Sequence, residues 1–167
     1  MSETKNVQNE PVVQEELNLD AKVTVRNIAP WDVGFSRKAD GVGDISIAPN
    51  GVIRLSRNEI IVQSQSGNKL FNGIDGRGGH ATLYIDDAAT RRELEFESVN
   101  TKQESFINVD IAKLFDAKKS QSVFEKEFMN KIRTRAEKCA VIEAMRKAKV
   151  SDYHKIRFAE DYTGFRF

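Results

Sequence analysis

The stretch LFNGIDGRGGHATLYIDD, residues 70–87, decides how the first half of the chain is interpreted. It places four glycines, an aspartate, an arginine and a histidine within the eight positions from Gly73 to His80. A phosphate-binding loop of the Walker type needs Lys and then Ser or Thr after its last glycine, and it leads into a helix. Here ATLYI follows, with the alternating, β-branched pattern of a strand. We therefore predict that the glycines form a turn between two strands of a sheet.

The same loop is a candidate binding site, because glycine-rich loops held on a rigid sheet often carry contacts. Asp75 and His80 are separated from Asp86 and Asp87 by a predicted strand, so these side chains cannot easily share one ion. We predict no metal site. The residues expected to contact a partner through this loop are Gly73, Asp75, Arg77 and His80.

Segments on both sides of the loop alternate apolar and polar residues with a period of two. They are KVTVRN, WDVGFS, DISIAP, EIIVQSQ and ELEFES, and turn residues separate them. In APNGVIRL, Asn50 and Gly51 lie between apolar alternations and favour a tight hairpin turn between two strands. The connection DDAATRR fits a single helical turn capped by Asp86 or Asp87. Six or seven short strands indicate an antiparallel sandwich or a small barrel.

After Asn100 the period becomes helical. Ser122 followed by Glu125 fits a capping box, and apolar residues then recur every four positions at Phe124, Phe128, Ile132 and Ala136. This stripe predicts a core-facing helix that bends or is interrupted near residues 136–140, and Gly164 is a natural stop for the last helix. The predicted fold class is α+β, an N-terminal antiparallel β sandwich or small barrel followed by a C-terminal helical domain. The expected segments are a flexible acidic tail (1–20), an antiparallel β domain (21–100) and a helical domain (101–167).

Charge is distributed unevenly along these segments. Residues 1–20 hold one basic and five acidic groups, residues 21–100 hold ten of each, and residues 101–167 hold fifteen basic and ten acidic groups. The acidic and basic ends are complementary, which predicts contact between subunits of an oligomer.

Composition excludes several classes of protein. The chain of 167 residues is 40% hydrophobic and 31% charged, without an apolar run long enough to span a membrane. The acidic N-terminal residues do not resemble a secretory signal, so we expect a cytoplasmic or virion protein that is not secreted by a signal peptide. The single cysteine, Cys139, excludes an internal disulfide and a cysteine-based zinc site. No catalytic residue, cofactor or small-molecule substrate is predicted.

A basic region supplies the main alternative. Lys131, Arg135 and Lys138 have a helical spacing that favours one stripe, and Arg146 and Lys147 follow nearby. Such a stripe would suit nucleic acid or an acidic partner. Acidic residues are interleaved, however, and a charged outer face is the default for an amphipathic helix.

The C-terminal sequence RFAEDYTGFRF contains four aromatic rings. So apolar a segment must pack against something, either the protein's own sheet or another chain. We favour docking onto the sheet. The residues concerned are Phe158, Tyr162, Phe165 and Phe167.

The β-then-α layout and the phrases GDISIAPNG and GNKLFNGIDGRGGHATLYIDD resemble small uncharacterised proteins of tailed bacteriophages. The resemblance implies a minor virion or accessory protein that binds other proteins, and it assigns no site. The sequence therefore predicts a non-enzymatic, protein-binding structural module that acts in an oligomer. Nucleic-acid binding through the basic face of residues 131–149 is the alternative.

Overall fold

The structure is a computed structural model that describes residues 16–167. Most of the predicted acidic tail, residues 1–20, lies outside these residues. Within the described part, Leu19 and Asp20 form a turn, and the Asn58 N–H donates to the Leu19 carbonyl at 2.9 Å. The fold is α+β, with short strands first and helices afterwards, as predicted.

Five strands form two small antiparallel sheets. They are β1 (Lys22–Asn27), β2 (Val33–Ser36), β3 (Asp44–Ile47), β4 (Val52–Ser56) and β5 (Leu83–Ile85). The larger sheet has the order β4-β1-β5, and the smaller one pairs β2 with β3. Over residues 16–167 these sheets form neither a closed barrel nor a clear sandwich.

The predicted hairpin at Asn50 and Gly51 is wrong, although the turn exists. Asn50 has a left-handed φ of 54°, as such a turn requires. However, β3 and β4 belong to different sheets. The side-chain amide of Asn27 donates to the carbonyls of Trp31 at 2.8 Å and Ala48 at 3.1 Å, which fixes the end of β3 beside β1. Alternation predicts strands but does not specify which strands pair.

Three helices interrupt this half of the chain: α1 (Arg57–Gln65), α2 (Lys69–Asn72) and α3 (Ala88–Glu93). The predicted strand EIIVQSQ is therefore wrong, because Ser56 caps a helix there and its Oγ accepts from the Glu59 N–H at 3.0 Å. The predicted edge strand ELEFES is also wrong, since α3 ends at Glu93 and a turn follows. The helical turn capped by Asp87 is confirmed.

Glu59 is fully buried and ties α1 to the loop between β2 and β3. Its carboxylate accepts from the backbone N–H groups of Lys38 (2.9 Å), Ala39 (2.8 Å) and Asp40 (2.7 Å) and from the Gln63 side chain (2.7 Å). Burial raises the pKa of Glu59, but these hydrogen bonds outweigh it and lower the pKa to about 2. The Glu59 carboxylate thus holds the loop between β2 and β3 against α1.

The C-terminal part contains a 3-10 helix (Phe106–Asn108) and four α-helices. These are α4 (Ile111–Leu114), α5 (Gln121–Lys131), α6 (Arg135–Lys147) and α7 (Tyr153–Thr163). Gly164 ends α7 with a left-handed φ of 77°, as predicted. The capping box predicted at Ser122 is wrong, because Ser120 caps α5.

The predicted interruption of the long helix exists but lies earlier in the chain. Residues 132–134 separate α5 from α6, and Thr134 caps α6 in a capping box with Glu137. The break leaves the Ile132 carbonyl without a helical partner. The Tyr162 hydroxyl of α7 donates to this carbonyl at 2.7 Å.

The described residues form two hydrophobic cores that meet each other. One lies between the sheets and α1, and the other lies among α4, α5, α6 and α7. The predicted stripe is confirmed, because Phe124, Phe128, Ile132 and Ala136 are all buried. Ala136 belongs to the first core, whereas the other three belong to the second. Phe106 contacts both cores, so the two are continuous.

We expect Glu59→Gln to destabilise the protein at neutral pH by about 3 kcal/mol, because a neutral amide cannot accept from three converging N–H groups. The pKa of Glu59 is lower in the folded state, so its contribution is present above about pH 4.5 and is lost as the pH falls towards 2. Urea unfolding at a series of pH values measures this, and the difference from wild type should shrink towards pH 2.

Glu93→Gln is the matched control, because the Glu93 side chain is exposed and makes no hydrogen bond or ion pair within residues 16–167. Its stability should follow that of the wild type at every pH. A pH-independent difference between Glu59→Gln and wild type would contradict the role of the charge.

Candidate functional site

The glycine-rich loop connects a helix to a strand. Because KLFN forms α2, the prediction that the loop joins two strands is wrong on its N-terminal side. On its C-terminal side β5 follows, as predicted. Gly73 and Gly79 form an isolated β-bridge, and Asp75 Oδ1 accepts from the N–H groups of Arg77 (2.8 Å) and Gly79 (2.9 Å). The loop therefore closes on itself, with Arg77 exposed at its tip.

Three of the four loop glycines allow close approach of neighbouring groups, since a Cβ at Gly78 would overlap the Phe96 ring and the Gln103 side chain. A Cβ at Gly73 would overlap the carbonyl of Gly79, and a Cβ at Gly79 would overlap the carboxylate of Asp75. Gly76 differs, because its φ of 75° is left-handed but no atom lies near its missing Cβ. The predicted partner-binding residues thus separate into an exposed tip and a closely packed base.

His80 belongs to the packed base and is only 6% exposed. It adopts a left-handed φ of 57°, which costs free energy for a residue with a side chain. Its backbone N–H donates to the Glu104 carbonyl at 2.8 Å, and its ring Nδ1 lies 2.8 Å from Oε1 of Glu137. The structure therefore places His80 inside the protein, against the helical part, and away from the exposed loop tip.

Glu137 is fully buried and is held from several directions. Its Oε2 accepts from the backbone N–H groups of Arg133 at 2.8 Å and Thr134 at 3.1 Å, which cap the start of α6. Oε2 also lies 3.0 Å from Nδ1 of His80. Since a carboxylate only accepts hydrogen bonds, His80 Nδ1 must carry a proton. The residue that caps α6 thereby also holds Nδ1 of a histidine 57 positions away.

A cavity of about 550 Å³ opens beside His80, between the segment 103–109 and α5. Its lining includes Gln103 and Glu104 next to His80, and the apolar side chains of Val109 and Val123. Two residues of this lining each have a fully buried polar atom without a hydrogen-bond partner among the described residues: Nε2 of His80, which lies 3.4 Å from Oε2 of Glu104, and Oε1 of Gln103. Buried polar atoms are normally paired, so this cavity is the strongest candidate for a binding site.

The basic residues predicted to contact nucleic acid do not form one stripe. The break at residues 132–134 places Lys131 on α5, and Arg135 and Lys138 on α6. The Arg135 guanidinium lies over the Trp31 ring at 5.7 Å, and the Lys138 ammonium lies over the Tyr162 ring at 4.5 Å. Nearby, Arg146 pairs with Glu143 at 2.7 Å, and Lys147 lines a separate cavity of about 270 Å³.

The C-terminal rings dock, but onto the helices. Phe158, Tyr162 and Phe165 pack against the second core, and Phe167 remains 40% exposed. Phe158 meets Phe124 and Phe128 edge-to-face, with 5.9 Å between ring centroids in each pair. The expectation that they dock onto the sheet is therefore wrong, because α7 covers the apolar face of α5 instead.

Among residues 16–167, no three His, Cys, Asp or Glu side chains are grouped closely enough to hold a metal ion. None of the helices described is both long enough and apolar enough to cross a bilayer.

Comparison with known proteins found no matching family model, no matching curated protein and no matching solved structure. What the chain does must therefore be inferred from its own geometry.

Sequence reasoning found His80 but missed the residues that surround it. The interleaved acidic residues of the predicted charged outer face include Glu137, which is in fact fully buried, and no sequence pattern singles out Gln103 or Glu104. The sequence TRAE, with Thr134 three residues before Glu137, is a capping-box signal that would have placed the start of α6 and the buried end of Glu137.

Gly73→Ala and Gly76→Ala test the packed base of the loop. Both positions have left-handed φ angles, 69° and 75°, so alanine has the same backbone cost at each, about 1 kcal/mol. Only Gly73→Ala also forces the loop open, so we expect it to lower the free energy of unfolding by about 3 kcal/mol in total. Equal losses in urea unfolding would contradict the role assigned to close approach.

Glu137→Gln tests the buried pair. Glutamine can still form a capping box, but it offers one acceptor oxygen where three donors converge. We expect a loss of about 3 kcal/mol in the free energy of unfolding. Glu143→Gln, on an exposed part of the same helix, should cost less than about 1 kcal/mol. A similar effect of the two substitutions in thermal and urea unfolding would show that the pair of His80 and Glu137 contributes little to the free energy of unfolding.

Proposed function

We propose that the chain is a non-enzymatic, protein-binding structural module whose cleft takes a segment of a partner protein. The observation that supports this is the cavity between residues 103–109 and α5, whose lining combines apolar side chains with polar and charged ones. Its volume of about 550 Å³ is within the range of roughly 300–1,000 Å³ that ligand sites occupy.

The walls of the cleft suit a peptide. Val123 lies on α5 and is 53% exposed, so a partner could bury it further. Main-chain N–H and C=O groups of a peptide can pair with the polar side chains of the lining, such as Glu104 and Asn108. A peptide segment therefore matches both the apolar and the polar part of the lining.

The surroundings of His80 support a binding role over catalysis. A catalytic histidine usually activates a hydroxyl or thiol within hydrogen-bond reach. Ser105 lines the same cavity, but no hydrogen bond joins its hydroxyl to His80 within residues 16–167. Cys139 lines a different cavity.

The biological setting is proposed from the sequence. The resemblance to proteins of tailed bacteriophages supports a minor virion or accessory role, in the cytoplasm or the virion. The contrast between the acidic residues 1–20 and the basic residues 101–167 supports self-association into an oligomer. Nucleic-acid binding is less favoured, because Arg135, Lys138 and Arg146 already engage aromatic rings or a carboxylate.

Peptides selected from a random library against the wild-type protein test the proposal. Val123→Glu should weaken their binding at least about tenfold by placing a charge on the apolar wall. The helix should tolerate this change, because Glu at position 123 completes a capping box with Ser120. Calorimetry gives the affinity, and amide shifts should fall on residues 103–109 and α5.

Val52→Glu is the matched control, because Val52 is 54% exposed on β4 and faces Arg26 across the sheet. It should leave peptide binding unchanged. A library that yields no binder, or binders insensitive to Val123→Glu, contradicts the proposal. Oligonucleotide binding that weakens steeply with salt would favour the alternative.

A further inference from the structure

We propose that the cleft binds the acidic N-terminal segment of a second copy of this chain. The segment is NVQNEPVVQEE, residues 6–16, and the cleft is the cavity between residues 103–109 and α5. This inference rests on the proposed protein-binding function, and it names the partner and the part of the partner that binds.

One face of α5 forms a wall of the cleft. The residues of this face recur every three or four positions along the helix, and they are Val123, Lys126, Glu127, Asn130 and Lys131. Val123 is 53% exposed, and Val109 adds a second apolar side chain from the segment 103–109. The Asn130 side chain makes no hydrogen bond within residues 16–167, so its amide can pair with the backbone of a peptide. The wall therefore suits a ligand with both apolar and polar groups.

The charges of the lining favour an acidic ligand. Lys126 and Lys131 are exposed, and neither makes an ion pair within residues 16–167. Glu127 is paired with Lys119, whose Nζ lies 2.5 Å from its carboxylate. The lining thus keeps two lysines against one carboxylate, that of Glu104, which is 79% exposed beside the buried histidine. A ligand that lies along α5 meets two ammonium groups that carboxylates can pair with.

The N-terminal segment has the chemistry that this wall requires. Val12 and Val13 form a short apolar pair, with Glu10 on one side and Glu15 on the other. The two valines can be buried against Val123, while the flanking carboxylates meet the lysines of α5. Apolar and acidic residues thus alternate in the segment as apolar and basic residues do along the cleft.

The position of the cleft favours a second copy over the same chain. Leu19 is fixed at the start of α1, where its carbonyl accepts from the Asn58 N–H at 2.9 Å. The strand β1 starts at this end, beside the last residue of β4, and its six residues run roughly 17 Å to Asn27. There β1 pairs with the first residue of β5, and His80 lies just before β5. The cleft is therefore at the far end of β1.

The length of the chain limits how far the segment reaches. Val13 lies six positions before Leu19, so a fully extended backbone carries it about 20 Å from that residue. This reach barely exceeds the length of β1 and leaves little chain to reach Val123 on α5. A second copy has no such restriction, and the exchange of two segments between two clefts closes a symmetric dimer.

Val13→Asp and Asn9→Asp in the full chain test the inference. Both add one negative charge to the segment, but only Val13→Asp removes an apolar side chain. We expect wild type and Asn9→Asp to have the mass of a dimer in light scattering at low salt. Val13→Asp should weaken the dimer at least about tenfold. It should also move the amide resonances of residues 103–109 and α5, which Asn9→Asp leaves in place.

Two results would overturn the inference. One is a monomeric wild type, or a Val13→Asp variant whose mass and amide resonances match those of wild type. The other is a shift of these amides without any change in mass, because the segment would then occupy the cleft of its own chain.

Charge reversal on both sides tests the contact itself. Lys126→Glu combined with Lys131→Glu should weaken the dimer on the order of tenfold, because the carboxylates of the segment would then face like charges. Adding Glu10→Lys and Glu15→Lys to the same chain should restore the dimer, since the pairs are reversed and not lost. A dimer that is not restored would contradict the pairing.

Lys118→Glu combined with Lys149→Glu is the matched control. Both lysines are exposed, neither lines the cleft, and the change in net charge is the same. The dimer should persist in this variant. Dissociation equal to that of the cleft variant would show that net charge, and not the cleft, governs association.

Library peptides separate this inference from the proposed function. Peptides that bind the cleft should compete with the segment and dissociate the dimer. If they bind with sensitivity to Val123→Glu but leave the mass unchanged, the segment is wrong and the protein-binding proposal stands. If no peptide binds and Val13→Asp has no effect, both proposals fail.

Discussion

The hydrogen bond between His80 and Glu137 is the contact on which the rest of the structure depends. It joins a loop that precedes the last strand to the first turn of α6, and both side chains are buried. A buried carboxylate is costly unless donors surround it, and here two backbone N–H groups and one imidazole do so. The same contact holds His80 in the lining of the cavity beside residues 103–109. The hydrogen bond between His80 and Glu137 therefore supports both the fold and the candidate site.

Glu59 and Glu137 each lie at the start of a helix and also accept hydrogen bonds from residues distant in sequence. Each lies three residues after a capping Ser or Thr, at the start of a helix. In each case the carboxylate also receives donors from distant parts of the chain, the loop 38–40 for Glu59 and His80 for Glu137. A short sequence motif that starts a helix thus also fixes where that helix lies. This arrangement allows short strands and short helices to form one defined structure.

The features that sequence predicted are those set by neighbours along the chain. β1 to β4 follow from alternation, the buried Phe124 and Phe128 follow from helical spacing, and the end of α7 follows from Gly164. The errors are of two kinds. In one, two local signals compete; in the other, the structure depends on a contact between residues that are distant in sequence. EIIVQSQ has an apolar run typical of a strand, yet Ser56 and Glu59 form a helix start that outweighs it. The partner of His80 is 57 positions away, so no local pattern could indicate it.

The interruption between α5 and α6 has a consequence for how the molecule forms as it is synthesised. The Ile132 carbonyl at that break is satisfied by the Tyr162 hydroxyl, which leaves the ribosome 30 residues later. Until then water must solvate this carbonyl, and the apolar face of α5 has no cover from α7. The helical part of the nascent chain should consequently stay loosely packed until α7 has emerged. Docking of α7 would then fix the angle between α5 and α6 in one step.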